Sequence, residues 1–327
     1  MATYKDIIGT HVRTVASDPP SPVNGQMWYN STEQVMKGLK SNPAGSWSSG
    51  NSLNTVRHEL KGGGTQTSAI VFGGSNPSSG FQDIAESYNG TTFSEVNDLN
   101  TGRNYLGGTA ASNTAAIAFG GLINPTTRTN ITEKWNGTSW TEVNDLNVSK
   151  YQLAGSGNSS TTALAFGGNN PSNSTVSETE VWNGTSWSET NDLNAARGLL
   201  FGSGTYTSAI AIGGEPSPTR SLTEKWNGTS WTESGDLNTG RYNTQGMGDS
   251  NTNGLVGGGY TGTANTANAE LWNGTSWSEQ NNISTARNGM AAAGSGTATA
   301  VIAGGQPSGP TEEWVAPVLS TVTFTAS

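Results

Sequence analysis

The chain has 327 residues, no cysteine and only two histidines. The first absence excludes a disulfide framework, thiolate metal sites and a cysteine nucleophile. The second argues against a metal centre built from several imidazoles, so no metal and no cofactor are expected. Charged residues make up only 12% of the chain, and the formal charge is −9. That disfavours sequence-independent binding to nucleic acid or to anionic membranes, which needs a basic surface. No run approaches the ~18 apolar residues of a spanning helix, so membrane insertion is not expected. The start, Met1-Ala2-Thr3-Tyr4-Lys5-Asp6, lacks a basic segment leading into an apolar one, so no secretory leader is visible. Gly and Pro number 45 and 12, below the roughly 25–30% that suggests low complexity. Eleven Trp argue for a packed core, since each can bury a large apolar area.

Internal repetition dominates what is present. Trp-Asn-Gly-Thr-Ser-Trp occurs at Trp135–Trp140, Trp182–Trp187, Trp226–Trp231 and Trp272–Trp277. A degraded copy runs from Tyr88 to Phe93. Gly-Gly doublets precede the copies at Gly73-Gly74, Gly120-Gly121, Gly167-Gly168, Gly213-Gly214 and Gly258-Gly259, and a sixth, Gly304-Gly305, precedes Trp314. An Asp-Leu-Asn segment and then a basic residue follow the hairpins, as in Asp192-Leu193-Asn194 and Arg197.

The local reading is β. Short apolar runs such as Ala116–Phe119 end at Gly-Gly, like buried strands. Asn-Gly between aromatics predicts a hairpin with a type I′ turn. Each unit then offers four short strands, and a repeated four-stranded unit of 40 to 50 residues reads as a propeller blade. Small residues in the second strand suit a narrow centre, and the aromatics suit the gaps between blades. Trp47, Leu53-Asn54 and Arg57 repeat the register of Phe93, Leu99-Asn100 and Arg103. The expected fold is therefore an all-β, six-bladed propeller with four-stranded blades. Its last blade would be completed by Ser46–Asn54 pairing with the strand around Glu313. A seven-bladed count would need a whole blade from residues 20–56, which contain no Gly-Gly strand. The expected organisation is 1–44 as a docking segment with a short N-terminal β-hairpin, 45–316 as the propeller and 317–327 as a C-terminal strand or tail.

The basic residue opening the first strand, the Gly-Gly ending the second, the aromatic in the third and the Trp opening the fourth resemble the kelch repeat. One unit shows them as Arg197, Gly213-Gly214, Trp226 and Trp231. A second resemblance lies in Gly25-Gln26-Met27-Trp28-Tyr29-Asn30. It is similar to segments near the start of tail-fibre and tail-accessory proteins of marine bacteriophages, where kelch-like arrays with such hairpins also occur. The resemblance implies a non-enzymatic virion structural protein, made in a host cytoplasm. Its partners would be other virion tail or neck proteins, with a host-surface glycan as a further ligand. Trp28 and Tyr29 are the docking candidates. Val318–Thr325 would pack on the Met27–Leu39 hairpin or mediate assembly. The alternatives are a cellular kelch interaction module and a carbohydrate-active propeller enzyme. A galactose-oxidase-type copper site would need a Cys-modified Tyr, which a chain without cysteine cannot supply.

Repeated charges carry two readings. Arg57, Arg103, Lys150, Arg197, Arg241 and Arg287 form one set, and Glu86, Glu133, Glu180, Glu224, Glu270 and Glu312 another. The basic set could line the mouth of a channel. More simply, the two sets pair within the scaffold, because a binding site rarely needs six equivalent copies. Asn-Gly-Thr matches a glycosylation sequon five times, but turn chemistry explains it. Unshared polar residues fall in loops 123–131, 169–178, 215–222 and 259–268, and loops on a rigid scaffold carry function. Arg128, Arg220 and Tyr260 are the binding candidates there, and no residue is expected to be catalytic.

Overall fold

The apolar runs that end at Gly-Gly do form strands, each the second in a four-stranded antiparallel sheet. The computed structural model describes residues 12–20, 26–41, 44–295, 298–317 and 319–324. The chain divides into two units, Met1–Gly45 with Ala316–Ser327, and Ser46–Val315. Among the described residues, helix is limited to a short 3-10 turn at Thr219–Ser221.

The Ser46–Val315 unit contains six four-stranded sheets, and the fold is all-β and propeller-like. The second sheet is typical, with strands Gly107–Ser112, Ala115–Phe119, Thr132–Trp135 and Trp140–Val143 in chain order. The sixth takes Asn288–Gly294, Thr299–Gln306 and Thr311–Val315, and its fourth strand is Ser46–Gly50 from the start of the unit. Trp314 pairs with Trp47 and Glu313 with Ser48, in the register the repeat spacing predicts.

Apolar burial lies between sheets. Ile70 and Phe72 of the first sheet cluster with Ala116, Trp135 and Trp140 of the second. Comparable clusters join each later pair of neighbours. Val301 and Ala303 of the sixth sheet cluster with Ala69 and Val71 of the first. The second Trp of three hairpins, Trp187, Trp231 and Trp277, also donates its indole N–H across the gap, as Trp231 does to Thr179 Oγ1 at 3.1 Å.

Two local expectations are corrected. First, the Asn-Gly hairpins are not type I′ turns. Trp135 pairs with Trp140, leaving a four-residue loop. Only Gly137 in it has positive φ. Asn136 Oδ1 instead accepts the N–H groups of Thr138 and Ser139, both at 2.9 Å, which is the Asx-turn alternative. Second, the strands that come closest from sheet to sheet, around a shared cavity, are the first strands, not the second. Each first strand lies beside those of the sheets before and after it, and Asn288–Gly294 lies beside Lys61–Thr65. Close approach explains their glycines. A Cβ on Gly202 would sit 2.4 Å from the Phe166 ring and 2.8 Å from the Gly155 carbonyl.

In the other unit, Arg13–Val15, Met27–Asn30, Val35–Ser41 and Leu319–Phe324 make one sheet, parallel only in its first pair. The C-terminal strand therefore pairs beside the predicted hairpin. Residues 1–11, Pro22, Val318 and Thr325 lie outside the described residues.

Candidate functional site

The repeated charges belong to the scaffold. Arg103 and Glu133 pair at 2.9 Å, Lys150 and Glu180 at 2.9 Å, Arg197 and Glu224 at 2.7 Å, and Arg287 and Glu312 at 3.0 Å. Arg57 pairs with Glu86 and Arg241 with Glu270 in the same way. All twelve side chains are buried, so the basic set does not line an open channel mouth. Burial pushes the guanidinium of Arg103 down to about 10 against the pull of Glu133.

Each pair also ties neighbouring repeats together. The second oxygen of Glu224 accepts from the backbone and side-chain nitrogens of Asn194 in the preceding repeat, both at 2.8 Å. The carbonyl of Arg241 accepts from Gly214 N–H at 3.1 Å. A Cβ on Gly213 would stand 2.3 Å from that carbonyl. The doublet is thus required by a backbone contact to the next repeat. The same contact joins Gly305 to the Arg57 carbonyl.

Two residues beyond each basic residue stand Glu59, Tyr105, Gln152, Leu199, Asn243 and Gly289. All six have φ between 50° and 65°. Each non-glycine at such a φ costs roughly 1–2 kcal/mol. The compensation is a cycle of backbone hydrogen bonds. Tyr105 N–H donates to Glu59 O, Gln152 to Tyr105, Leu199 to Gln152, Asn243 to Leu199, Gly289 to Asn243 and Glu59 to Gly289, at 2.7–3.2 Å.

No two of these six residues are alike, whereas four of the turns between third and fourth strands are copies of each other. Glu59 Oε1 accepts from Asn243 Nδ2 at 2.7 Å. Burial and the neighbouring Glu59 carboxylate raise the Tyr105 hydroxyl above its ordinary range. From Asn243 an amide chain continues through Asn288 (3.0 Å) to Asn265 (2.6 Å). Repeat comparison alone could have found this position, because it is where the repeats share no residue.

The loop candidates lie at the same end of the sheets. Arg128 stacks over Tyr151 at 5.1 Å and donates to Thr126 O and Asn173 Oδ1. Arg220 stacks over Tyr242 at 5.2 Å, pairs with Glu215 at 2.6 Å and donates to Thr261 O. The two arginines thus brace loops of successive sheets. Tyr260 packs its ring edge-on to Tyr242. It also lines a cavity of about 600 Å³ with His58, Pro77, Asn265, Asn288 and Gln306. A second cavity of about 410 Å³ is lined by Gln152, Asn169, Asn173, Thr175 and Glu215. Amides, a tyrosine and an imidazole at a concave surface suit a neutral, hydroxyl-rich ligand, because each amide offers a donor and an acceptor side by side.

In the smaller unit Trp28 is fully buried, and its indole N–H donates to Asp18 Oδ1 at 3.0 Å. It is therefore a core residue and not a free docking side chain, while Tyr29 keeps partial exposure. No protein-family model and no curated protein sequence matches this chain.

Proposed function

We propose that this chain is a non-enzymatic virion structural protein of a bacteriophage tail or neck. Its six sheets are the blades of a closed, kelch-type propeller that presents one loop end to a host-surface glycan. The cycle of six backbone hydrogen bonds supports the closed arrangement, since the last bond returns to the first repeat. The observation that carries the binding reading is the one-sided distribution of unlike residues. The identical Asn-Gly-Thr-Ser turns occupy one end of the sheets. Antiparallel order puts the unlike residues, from Glu59 to Tyr260, at the other. A scaffold held constant while one end diverges is suited to recognition. The non-enzymatic reading is supported by the use of the repeated carboxylates in buried pairs and of Glu59 and Glu215 in contacts to Asn243 and Arg220. The phage assignment is supported by the two resemblances in the sequence. Attachment to other virion proteins falls to the N-terminal unit.

The test is a glycan array of host-surface polysaccharides probed with the full chain and with Tyr260→Ala/Asn265→Ala. Saturable binding lost in the variant, without turnover of the glycan, is the expected result. Absence of binding across the array, or cleavage of a bound glycan, overturns this reading. Mass spectrometry of purified particles checks the virion assignment, and a chain found only free in host lysate would refute it.

A further inference from the structure

The two cavities at the loop end belong to different repeats. The larger, of about 600 Å³, takes His58 and Pro77 from the first repeat, Tyr260 and Asn265 from the fifth, and Asn288 and Gln306 from the sixth. The smaller, of about 410 Å³, takes Gln152, Asn169 and Thr175 from the third and Glu215 from the fourth. A narrower opening of about 20 Å³ is lined by Glu59, Tyr105, Gln152, Leu199 and Asn243 of the hydrogen-bonded cycle.

This opening shares its walls with both cavities. Gln152 and Leu199 line it and the smaller cavity alike. On the other side, Asn243 of the opening donates to Asn288 of the larger cavity at 3.0 Å. Glu59 of the opening also follows His58 of the larger cavity directly in the chain. At the opening, Lys61 of the first repeat brings its ammonium to 5.7 Å from the Phe201 ring centre of the fourth. The two repeats are therefore about one lysine side chain apart there, a span that a short run of sugar residues bridges.

The carboxylates along this path are already engaged. Glu59 accepts from Asn243 at 2.7 Å, and Glu215 pairs with Arg220 at 2.6 Å. The chain as a whole carries −9, which disfavours a polyanion. The groups that keep exposed surface include Gln152, Thr175, Tyr260 and Gln306, two amides and two hydroxyls.

Building on the glycan reading above, we propose that the larger cavity, the opening and the smaller cavity form one groove for a neutral, unbranched polysaccharide, held along its length. A receptor for a terminal sugar needs a single depression. Two depressions flanking a shared opening reward a chain that fills both, because the second contact is made at high effective concentration. Tyr260 offers a ring to the apolar face of a sugar, so the larger cavity seats the first units.

The test is calorimetric titration of the full chain with size-graded maltose, cellulose and chitin oligosaccharides, from disaccharide to octasaccharide. In one series the affinity is expected to rise about a hundredfold or more with length and then level off. Ser174→Trp blocks the smaller cavity from an exposed position, and Ser308→Trp the larger. Ser174→Trp should leave disaccharide binding unchanged and abolish the gain with length. Ser308→Trp should weaken short and long chains alike, by about tenfold or more. Where melting curves show that a tryptophan perturbs folding, Thr175→Ala and Gln306→Ala take the same roles. Affinity independent of length, or a gain that survives the block of the smaller cavity, overturns the groove and leaves the glycan reading standing. So does tighter binding of polygalacturonate than of any neutral series. Absence of binding in all three series also overturns the groove, and the glycan reading falls with it only if the host-polysaccharide array is empty too.

Discussion

Replacing Glu224 by Leu tests whether the buried ion pairs organise the scaffold. Glu224 receives Arg197 Nη1 at 2.7 Å and two nitrogens of Asn194 at 2.8 Å, with its side chain fully buried. The substitution leaves the Arg197 guanidinium without counter-charge in a site whose burial already lowers its pKa. Breaking one partner of a buried pair costs about 3–5 kcal/mol. The unit spans Ser46–Val315, and an unfolding entropy near 2.1 cal/mol/K per residue gives about 0.6 kcal/mol/K. The expected fall in melting temperature is therefore about 5–8 °C. Urea unfolding followed by tryptophan fluorescence gives the free energy directly. The control is Glu215→Ala, which breaks the Arg220 pair whose side chains are 29% and 33% exposed; an exposed pair is worth about 0–1 kcal/mol. Arg197→Met with Glu224→Leu should recover much of the loss, because an apolar pair of similar volume tolerates the site. If Glu224→Leu costs no more than Glu215→Ala, the pairs do not organise the sheets and the reasoning fails.

Three further outcomes follow from the same contacts. Gly213→Ala should cost about 2–4 kcal/mol by urea unfolding, from a clash with the Arg241 carbonyl added to an unfavourable φ of 59°. Gly80→Ala, at φ 77° with no neighbour within 4 Å, should cost only about 1–2 kcal/mol. Trp314→Ala, which empties the fully buried ring site against Trp47 at 5.2 Å, should cost about 3–5 kcal/mol and raise hydrogen exchange in Ser46–Gly50 first; exchange unchanged there would count against that strand's completing the sixth sheet. Lys61 has a folded pKa near 8 against 10.5 unfolded, with Glu59 and Tyr105 facing the same mouth. The folded state therefore carries a penalty below pH 8 that is relieved as pH rises to 10.5, where the unfolded chain binds more protons. Lys61→Met should therefore be more stable than the parent at pH 7, with the difference shrinking towards zero above pH 10.5. A difference independent of pH would refute the assignment.

The strand that completes the sixth sheet was legible because Trp47 and Arg57 keep the register of Phe93 and Arg103, and repeated contacts impose repeated residues. The Arg–Glu pairs were legible for the same reason. The Asn-Gly turn was misread because a dipeptide preference is local, while the Trp135–Trp140 pairing sets a four-residue loop and hands the turn to the Asn136 side chain. Trp28 was misread because aromaticity says nothing of exposure, and its indole is buried on Asp18.

The amino-acid sequence by itself determined the four-stranded unit, its six occurrences and the residues that join one unit to the next, since each of those contacts is made many times over at constant spacing. Tertiary structure alone decided where the single-copy residues meet. Lys61 reaches Phe201, and Glu59 reaches Asn243, across the first strands of distant repeats. No local period records such a contact, because it depends on how the six sheets are arranged about a shared cavity and not on the spacing within any one of them.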